Sequence, residues 1–386
     1  MIKLFPCKPN SKTILIYCSV VPHDFPPHHR LNFAKQLSTH YQVIFIDLPG
    51  GYRIPPLSSA AKFYIYLLGT LFKFDNSFVW EFFRFRKLHL VILLFYLLFQ
   101  KLILGKKIIL YTTNGYYDQV YSYVPFDASV FDCPDIHKAE FEKNKIWINK
   151  FDLIFVNTKL VLDLIKKYNN RIQIIPSGYR NASKVNFSSQ KIPNSVLFLG
   201  GISQRIDYEL LSEVIKKLSD ITFYFIGEVY LNKYYAEPED RIRLKKWDAI
   251  LDLKNVRYLG EFSEPELRSI LPFFEVGIIP YHTSDVFNYY SNPIKLYDYL
   301  ASGIYVISTH LANTASFSKD FPVFIARSPH EFIRKIKLVL GKPHGDIVKY
   351  KSKVTGLLLK ESIERKTSRV LGEISLFFNN ETPRAT

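Results

Sequence analysis

The chain is poor in cysteine, short of acidic residues and without a long apolar run. Cys7, Cys18 and Cys133 are few, odd in number and scattered. They form neither a disulfide framework nor a metal-ligand pattern, and a reducing compartment is expected. No stretch reaches the roughly 18 apolar residues of a membrane span. The N-terminus runs directly into an extended segment at Thr13–Ser19, with no apolar core of a secretion signal, so a cytoplasmic location is expected. Asp and Glu number 35 against 51 Lys and Arg, a formal net charge of +16. Such a field attracts anionic lipid, nucleic acid or anionic sugar nucleotides. No RRM, KH, zinc-finger or helix-turn-helix pattern accompanies it, so nucleic acid is not an expected partner.

What is present is a globular composition, 48% hydrophobic over 386 residues, enough for two cores. Apolar runs alternate with helical spacings. Strands are expected near Thr13–Ser19, Gln42–Asp47, Lys107–Thr113, Ala128–Asp132, Asp152–Asn157 and Ile172–Pro176. A second set falls near Ser195–Gly200, Thr222–Gly227, Asn255–Leu259, Glu275–Tyr281, Tyr305–Thr309 and Pro322–Ala326. This alternation implies α/β parallel sheets. The polar stretch from Ser177 to Asn194 reads as the junction. The expected division is 1–185, 186–345, and a helical segment 346–386 returning toward the first domain.

The most informative stretch is Phe273 to Thr309. An apolar strand is closed by Pro280, a polar loop follows, and Asn292 then reads as an N-cap with Pro293 at the first helical position. Gly303 fits the helix end and a β-branched strand follows it. A helix N-terminus binds phosphate, and Lys295 adds a full charge in its first turn. Asp298 lies three residues on, suited to a ribose diol. The same two residues could equally be a solvated i,i+3 pair.

The run Pro293, Lys295, Tyr297, Asp298, Tyr299, Ala301, Gly303 resembles the nucleotide-sugar motif of GT-B glycosyltransferases. The likeness is to a bacterial subgroup working in exopolysaccharide, teichuronic-type or other cell-surface glycan assembly. Tyr290 stands where many retaining members carry the first glutamate of an E-x(7)-E pair. Asp298 replaces the commoner glutamate, and Tyr305 the usual proline. The resemblance implies a GT-B fold: two Rossmann-like domains with parallel sheets facing a central cleft. It implies a nucleoside diphosphate-sugar as donor, with UDP-sugar the expected class, and a lipid-linked or glycan acceptor. It also implies a metal-independent transfer with no cofactor.

Gly200, Ser203, Arg205 and Asp207 match the subgroup's G-x-x-S-x-R-x-D pattern at the first strand of the second domain, with Gly201 beside the first of them. The glycines let backbone approach a phosphate and Arg205 pairs with it, whereas Asp207 reads as a cap or ion pair. Glu228, Tyr281, Tyr290, Asn292, Pro293, Ile294, Lys295 and Asp298 complete the expected donor set. Tyr281 and Tyr290 read equally well as core residues.

In the first domain, Val130–His137 ends a strand at Asp132 and turns at Pro134, so Asp135 projects from the strand's carboxyl end. Both aspartates match a Y-D-C-x-D segment of the subgroup. An inverting transferase needs one base. Asp135 is the first candidate and Asp132 the second, with backbone capping the alternative for Asp132. Pro22–Arg30 resembles an R-P-H-H segment of the subgroup, and its His28, His29 and Arg30 are expected on the acceptor side or at the donor. His23, Asp24 and His28 lack a zinc-ligand spacing.

Leu57 to Lys107 carries Lys62, Lys73, Arg84, Arg86, Lys87, Lys101, Lys106 and Lys107 against Asp75 and Glu81, with many aromatics between. It reads either as core-facing helices or as peripheral contact with the anionic inner face of the cell membrane. A nucleotide-sugar 2-epimerase and a non-catalytic membrane partner protein are the alternative functions.

Overall fold

A computed structural model describes residues 2–4, 12–19, 29–47, 62–63, 80–81, 86–113, 126–133, 148–180, 185–231 and 238–380. The strands in chain order are β1 (Ile2–Leu4), β2 (Thr13–Ser19), β3 (Gln42–Asp47), β4 (Lys62–Phe63), β5 (Trp80–Glu81), β6 (Lys107–Thr112), β7 (Ala128–Cys133), β8 (Leu153–Val156), β9 (Ile172–Ile174), β10 (Ser195–Leu199), β11 (Thr222–Ile226), β12 (Val256–Tyr258), β13 (Val276–Ile279), β14 (Tyr305–Thr309) and β15 (Val323–Ala326). The chain divides into two compact units, Met1–Arg180 with Ile363–Thr386, and Asn181–Ser362.

The first unit's sheet runs β1-β3-β2-β6-β7-β8-β9. Every pairing is parallel except β1 against β3 at the edge. Parallel strands covered on both faces carry continuous apolar runs, and all of β7 and β8 are buried. β4 and β5 form a separate two-residue antiparallel pair.

The core of this unit joins Leu15, Tyr17, Ile109, Tyr111, Val130 and Phe155 of the sheet to Phe33 and Leu37 of helix His29–Leu37. It is completed from the far end of the chain by Ile363, Val370, Ile374 and Phe377 of helix Ile363–Asn380. These four fall on one helical face. Burying each contributes roughly 1.5–3 kcal/mol, which explains why this helix belongs to the first unit. The return therefore falls at Ile363 rather than at 346. Residues 346–362 stay with the second unit because helix Lys351–Lys360, with Val354 and Leu358 buried, packs on helix Ile294–Ala301.

A buried ion pair adds to this closure. Lys366 donates to Asp132 Oδ2 at 2.7 Å, and the Tyr111 hydroxyl donates to the same oxygen at 2.7 Å. Neither charge reaches water to any extent (7% and 5% side-chain exposure).

The second sheet is wholly parallel, ordered β12-β11-β10-β13-β14-β15. The sequential order of the strands reverses between β10 and β13. At such a switch point the crossovers leave on opposite sides, and a crevice opens beyond the carboxyl ends of the two strands.

Removing one partner of a buried pair leaves an uncompensated charge, at a cost of about 3–5 kcal/mol. Lys366→Met should therefore shift the first unit's urea transition down by that order, and adding Asp132→Asn should recover most of it. An unshifted single variant would mean that the pair does not hold the terminal helix.

Candidate functional site

Helix Ile294–Ala301 lies beside the β10/β13 switch point, and one side chain fixes it there. The Tyr299 ring rests on β13 where Gly277 has no side chain; a Cβ at Gly277 would stand 2.6 Å from the ring. The β10–β13 ladder runs only through Val196↔Val276 and Leu197↔Gly277. Beyond it the Tyr299 hydroxyl takes the place of a strand partner, accepting from Leu199 N at 2.8 Å and facing Leu197 O at 3.1 Å and Ile278 O at 3.3 Å. At the other end Gly303 adopts φ 63°, Ile304 N bonds Tyr299 O, and Gly303 N bonds Leu300 O. This is a Schellman closure.

The start of the helix differs from the sequence expectation. Pro293, at φ −69° and ψ 120°, occupies the cap position, and no side chain caps the helix. Asn292 is diverted: its amide donates to the Tyr297 hydroxyl at 2.8 Å. The first helical residue is Ile294, and the amides of the first turn have no intrahelical acceptor.

Lys295 points from that first turn under the glycine turn after β10. A Cβ at Gly200, whose φ is 111°, would stand 3.1 Å from Lys295 Nζ. The ammonium is buried and forms no hydrogen bond of good geometry, the Tyr281 hydroxyl being the polar group that reaches toward it. Its neighbours are aromatic faces, Phe198 at 3.8 Å and Tyr281 at 4.9 Å from ring centroid to Nζ. Burial pushes this ammonium below its ordinary pKa. The nearby Tyr281 phenol opposes that shift, Arg205 adds to it, and Asp298 opposes it more weakly. Burial also raises the Tyr281 phenol, but the Lys295 and Arg205 cations outweigh it and leave the group below its usual value.

Lys191 makes the contrast plain. It too is largely buried, yet its ammonium donates to Pro272 O at 2.7 Å, Gly303 O at 2.9 Å and Phe274 O at 3.0 Å. One lysine of this unit has its full set of acceptors, and the other has only the Tyr281 hydroxyl beside it.

Arg205 closes the second side of the site. Its guanidinium stacks on Tyr281 at 4.3 Å and Phe287 at 4.6 Å. Nε donates to Asn288 Oδ1 at 2.8 Å and Nη2 to Ser291 Oγ at 2.9 Å. Asn288 and Ser291 are fully buried partners that no sequence pattern marked. Ser203, by contrast, shapes the turn: its hydroxyl accepts from Arg205 N at 3.4 Å and its carbonyl from the Tyr208 hydroxyl.

The ends of β10 and β11 press together at two glycines. Gly227 has φ 139°, and a Cβ there would meet Gly200 O at 2.4 Å. Gly201 packs under the Tyr230 ring. Glu228 is buried just beyond, its carbonyl accepting from Ile202 N at 2.8 Å. Asp298 is half-buried on the Lys295 side of the helix. Tyr290 ends helix Val286–Tyr290 and packs edge-on against Tyr289 at 5.0 Å.

Asp207, Glu209 and His282 bring ligand-type atoms within 4.8 Å of one another. Each has a protein role: Asp207 caps helix Tyr208–Lys217 through Leu210 N and lies 3.6 Å from His282, while Glu209 pairs with Lys246. In the first unit, Asp132 is the acceptor for Lys366 and Tyr111. It bonds side chains, where backbone capping was the alternative expected of it. Asp135 and His28 lie outside the described residues, as do His23, Asp24 and His137. His29 and Arg30 open helix His29–Leu37.

A first unit completed by the terminal helix, followed by a second doubly wound sheet, is the architecture of the GT-B fold. Solved structures share it. A glycosyltransferase from Rickettsia africae superposes with a TM-score of 0.64 at 13% identity, over 96% of this chain and 100% of that one. Sucrose-phosphate synthase from Thermosynechococcus elongatus gives the same values, 0.64, 13%, 96% and 100%. TarM of S. aureus, crystallised with UDP, gives 0.51 at 16% identity over 71% of this chain and 55% of that one. No family model matches the chain. In sequence, the chain is 28% identical over 151 residues to a putative teichuronic acid biosynthesis glycosyltransferase, TuaH, of Bacillus subtilis. That match takes in 39% of this chain and 35% of that protein. The fold is therefore GT-B, and over those 151 residues the sequence is similar to a putative glycosyltransferase.

If the Tyr299 hydroxyl is what holds this helix against β10, Tyr299→Phe leaves Leu199 N–H buried without an acceptor, a loss of about 1–3 kcal/mol. Thermal unfolding should show it, and an unchanged midpoint would assign the anchoring to the ring alone.

Proposed function

We propose that this protein transfers a sugar from a nucleoside diphosphate donor, a UDP-sugar by preference, to a lipid-linked or glycan acceptor in cell-surface polysaccharide synthesis. One observation carries the reading: Lys295 keeps a buried ammonium from which no carboxylate or carbonyl accepts, at the first turn of an uncapped helix. An unpaired buried charge is costly, so it is retained where a ligand supplies the counter-charge. A diphosphate fits that need. It would take the amides at Ile294 and Lys295, the Lys295 ammonium, and the side of Arg205 not held by Asn288 and Ser291. Asp298 would accept from the ribose hydroxyls, and the turn at Gly200 would let the backbone approach.

The chemistry follows from that placement. The bond from the anomeric carbon to the phosphate oxygen breaks, and its electron pair leaves with the diphosphate. Lys295, Arg205 and the helix amides stabilise that developing charge. A new bond forms from the acceptor oxygen to the anomeric carbon. If configuration inverts, Asp135 takes the acceptor proton. Asp132 is the weaker candidate, because Lys366 and Tyr111 already occupy one of its oxygens. His28, His29 and Arg30 are assigned to the acceptor side. No metal is given a part, and the site of action is the inner face of the cell membrane. No helix among the described residues is long and apolar enough to cross it.

A thermal-shift screen with UDP, GDP, ADP and dTDP and their sugars tests this. A ligand at about 100 times Kd adds about 2.7 kcal/mol, and no shift with any of them would end the proposal. Lys295→Met should abolish the shift while leaving the ligand-free protein as stable as before or more so, since it removes an unpaired charge. The shift should also weaken as pH rises toward the ordinary lysine pKa of about 10.4. A depressed Lys295 pKa empties the cation early, and a depressed Tyr281 pKa places a phenolate beside it. Asp135→Asn should keep the donor shift and lose transfer; sustained turnover would remove Asp135 from the base role.

A further inference from the structure

We propose that Asn313 and Thr314, in the first turn of helix Ala312–Phe317, bond hydroxyl groups of the donor's sugar and set which sugar is accepted. The inference rests on the donor reading above and names the residues that read the group beyond the diphosphate.

Both side chains are buried, at 7% and 0% exposure. Among the described residues, Asn313 Nδ2 and Thr314 Oγ1 have no hydrogen-bond partner. Comparable groups elsewhere in the chain are satisfied. The Asn255 amide donates to the carbonyls of Ile215, Leu218 and Ile221 at 3.2, 3.0 and 3.0 Å. Thr367 and Thr355 return their hydroxyls to the carbonyl four residues back, at 2.8 and 2.9 Å, the usual resort of a helical threonine. Thr314 is the third residue of its helix, so no carbonyl of the helix lies four residues behind it. Its partner has to come from outside.

The pair lies beside the donor crevice. Thr309 ends β14, and its hydroxyl donates to Tyr281 O at 2.7 Å. The chain entering helix Ala312–Phe317 is thereby tied to the tyrosine whose ring meets Lys295 and Arg205. Asn313 shares a helical face with Phe317, whose ring packs edge-on against Tyr297 at 6.0 Å. The Tyr297 hydroxyl bonds Asn292 at 2.8 Å, just before the open first turn of helix Ile294–Ala301. Helix Val286–Tyr290 also packs on helix Ala312–Phe317, with the Tyr289 ring 6.1 Å from His310. Tyr289, Tyr290 and His310 are half-buried, so these rings are partly open to a ligand. Aromatic faces with a few fixed polar groups are the usual lining of a small-molecule site. Asn313 offers N–H donors, and Thr314 a donor and lone pairs, which together match neighbouring hydroxyls. No side chain of Val286–Tyr290 or Leu311–Phe317 is charged, so the fit is to hydroxyls and not to an ionic group. A site built to bond a hydroxyl rejects a sugar that lacks it, because its own buried groups are then left unpaired. The rival occupant is a trapped water, which would satisfy the same two atoms.

The test measures, by calorimetry on the full chain, Kd values for UDP, UDP-glucose, UDP-galactose and UDP-N-acetylglucosamine. If the thermal-shift screen selects another nucleoside diphosphate, that nucleotide and its sugars replace these. Wild type should separate the sugar nucleotides by about tenfold or more. Thr314→Val and Asn313→Leu keep the shape and remove the polar atoms. Each should shrink that spread to about threefold or less while UDP itself binds as before. Neither should lower the ligand-free unfolding midpoint, since each removes an unsatisfied buried group. Thr314→Ser keeps the hydroxyl and should keep the discrimination. A spread that survives either apolar variant would overturn the proposal and leave the two atoms to water. So would a wild type that treats the sugars alike, or variants that lose UDP in the same proportion as its sugars. In each of these cases a wild type that still binds UDP retains the donor reading. A wild type that binds no nucleoside diphosphate loses both.

Discussion

An ammonium held away from water, with no carboxylate or carbonyl to accept from it, is the constraint around which the second unit is built. Lys295 sits among Phe198 and Tyr281, with the Arg205 guanidinium also close to the ring of that tyrosine. Two cations sharing one aromatic ring repel, and the ring faces return only a fraction of what hydration gave. The surrounding structure has to bear that cost. It does so with strong, local devices: a tyrosine seated on a glycine of the neighbouring strand, a fully formed helix closure, and a second lysine saturated by three carbonyls at the opposite end. The rigidity lies on the sheet side of helix Ile294–Ala301, and the open valences lie at its start.

Arg205 shows the same division. Asn288 and Ser291 hold its Nε and one terminal nitrogen, so the guanidinium reinforces the backbone bonds, such as His282 N to Arg205 O, that join the loop after β13 to the turn after β10. The arginine is thereby oriented before any ligand arrives. Orientation paid for during folding is not charged again on binding. Tyr281, flanked by both cations, sets the distance between them.

Much of this was legible in the sequence, and the misses have physical causes. The parallel strands of both sheets fall within a residue or two of their expected places, because buried parallel strands are continuous apolar runs and leave little choice, whereas the short antiparallel edge strand Ile2–Leu4 was not expected. The convergence of Gly200, Arg205 and Lys295 followed from motif spacing. The cap did not: Asn292 and Pro293 carry strong local start signals, but the Tyr297 hydroxyl competes for the asparagine and moves the helix start by one residue. Tyr299 had no local signal of its own. The clue lay elsewhere, in Gly277 at the centre of a strand, where a missing side chain marks a close approach. Asn288 and Ser291 sit in a polar loop that reads like any other. The pairing of Asp132 with Lys366 spans nearly the whole chain, beyond any local pattern.

The discontinuous first unit has a consequence for how the molecule is made. Its core lacks Ile363, Val370, Ile374 and Phe377 until the last helix has left the ribosome. During synthesis of all of Asn181–Ser362 the nascent first sheet therefore presents an apolar trough, with Asp132 at its rim and no lysine to meet it. The contiguous second unit can close before the earlier one does. The usual amino-to-carboxyl order of domain maturation is then inverted, and the waiting sheet becomes the segment in greatest need of a chaperone.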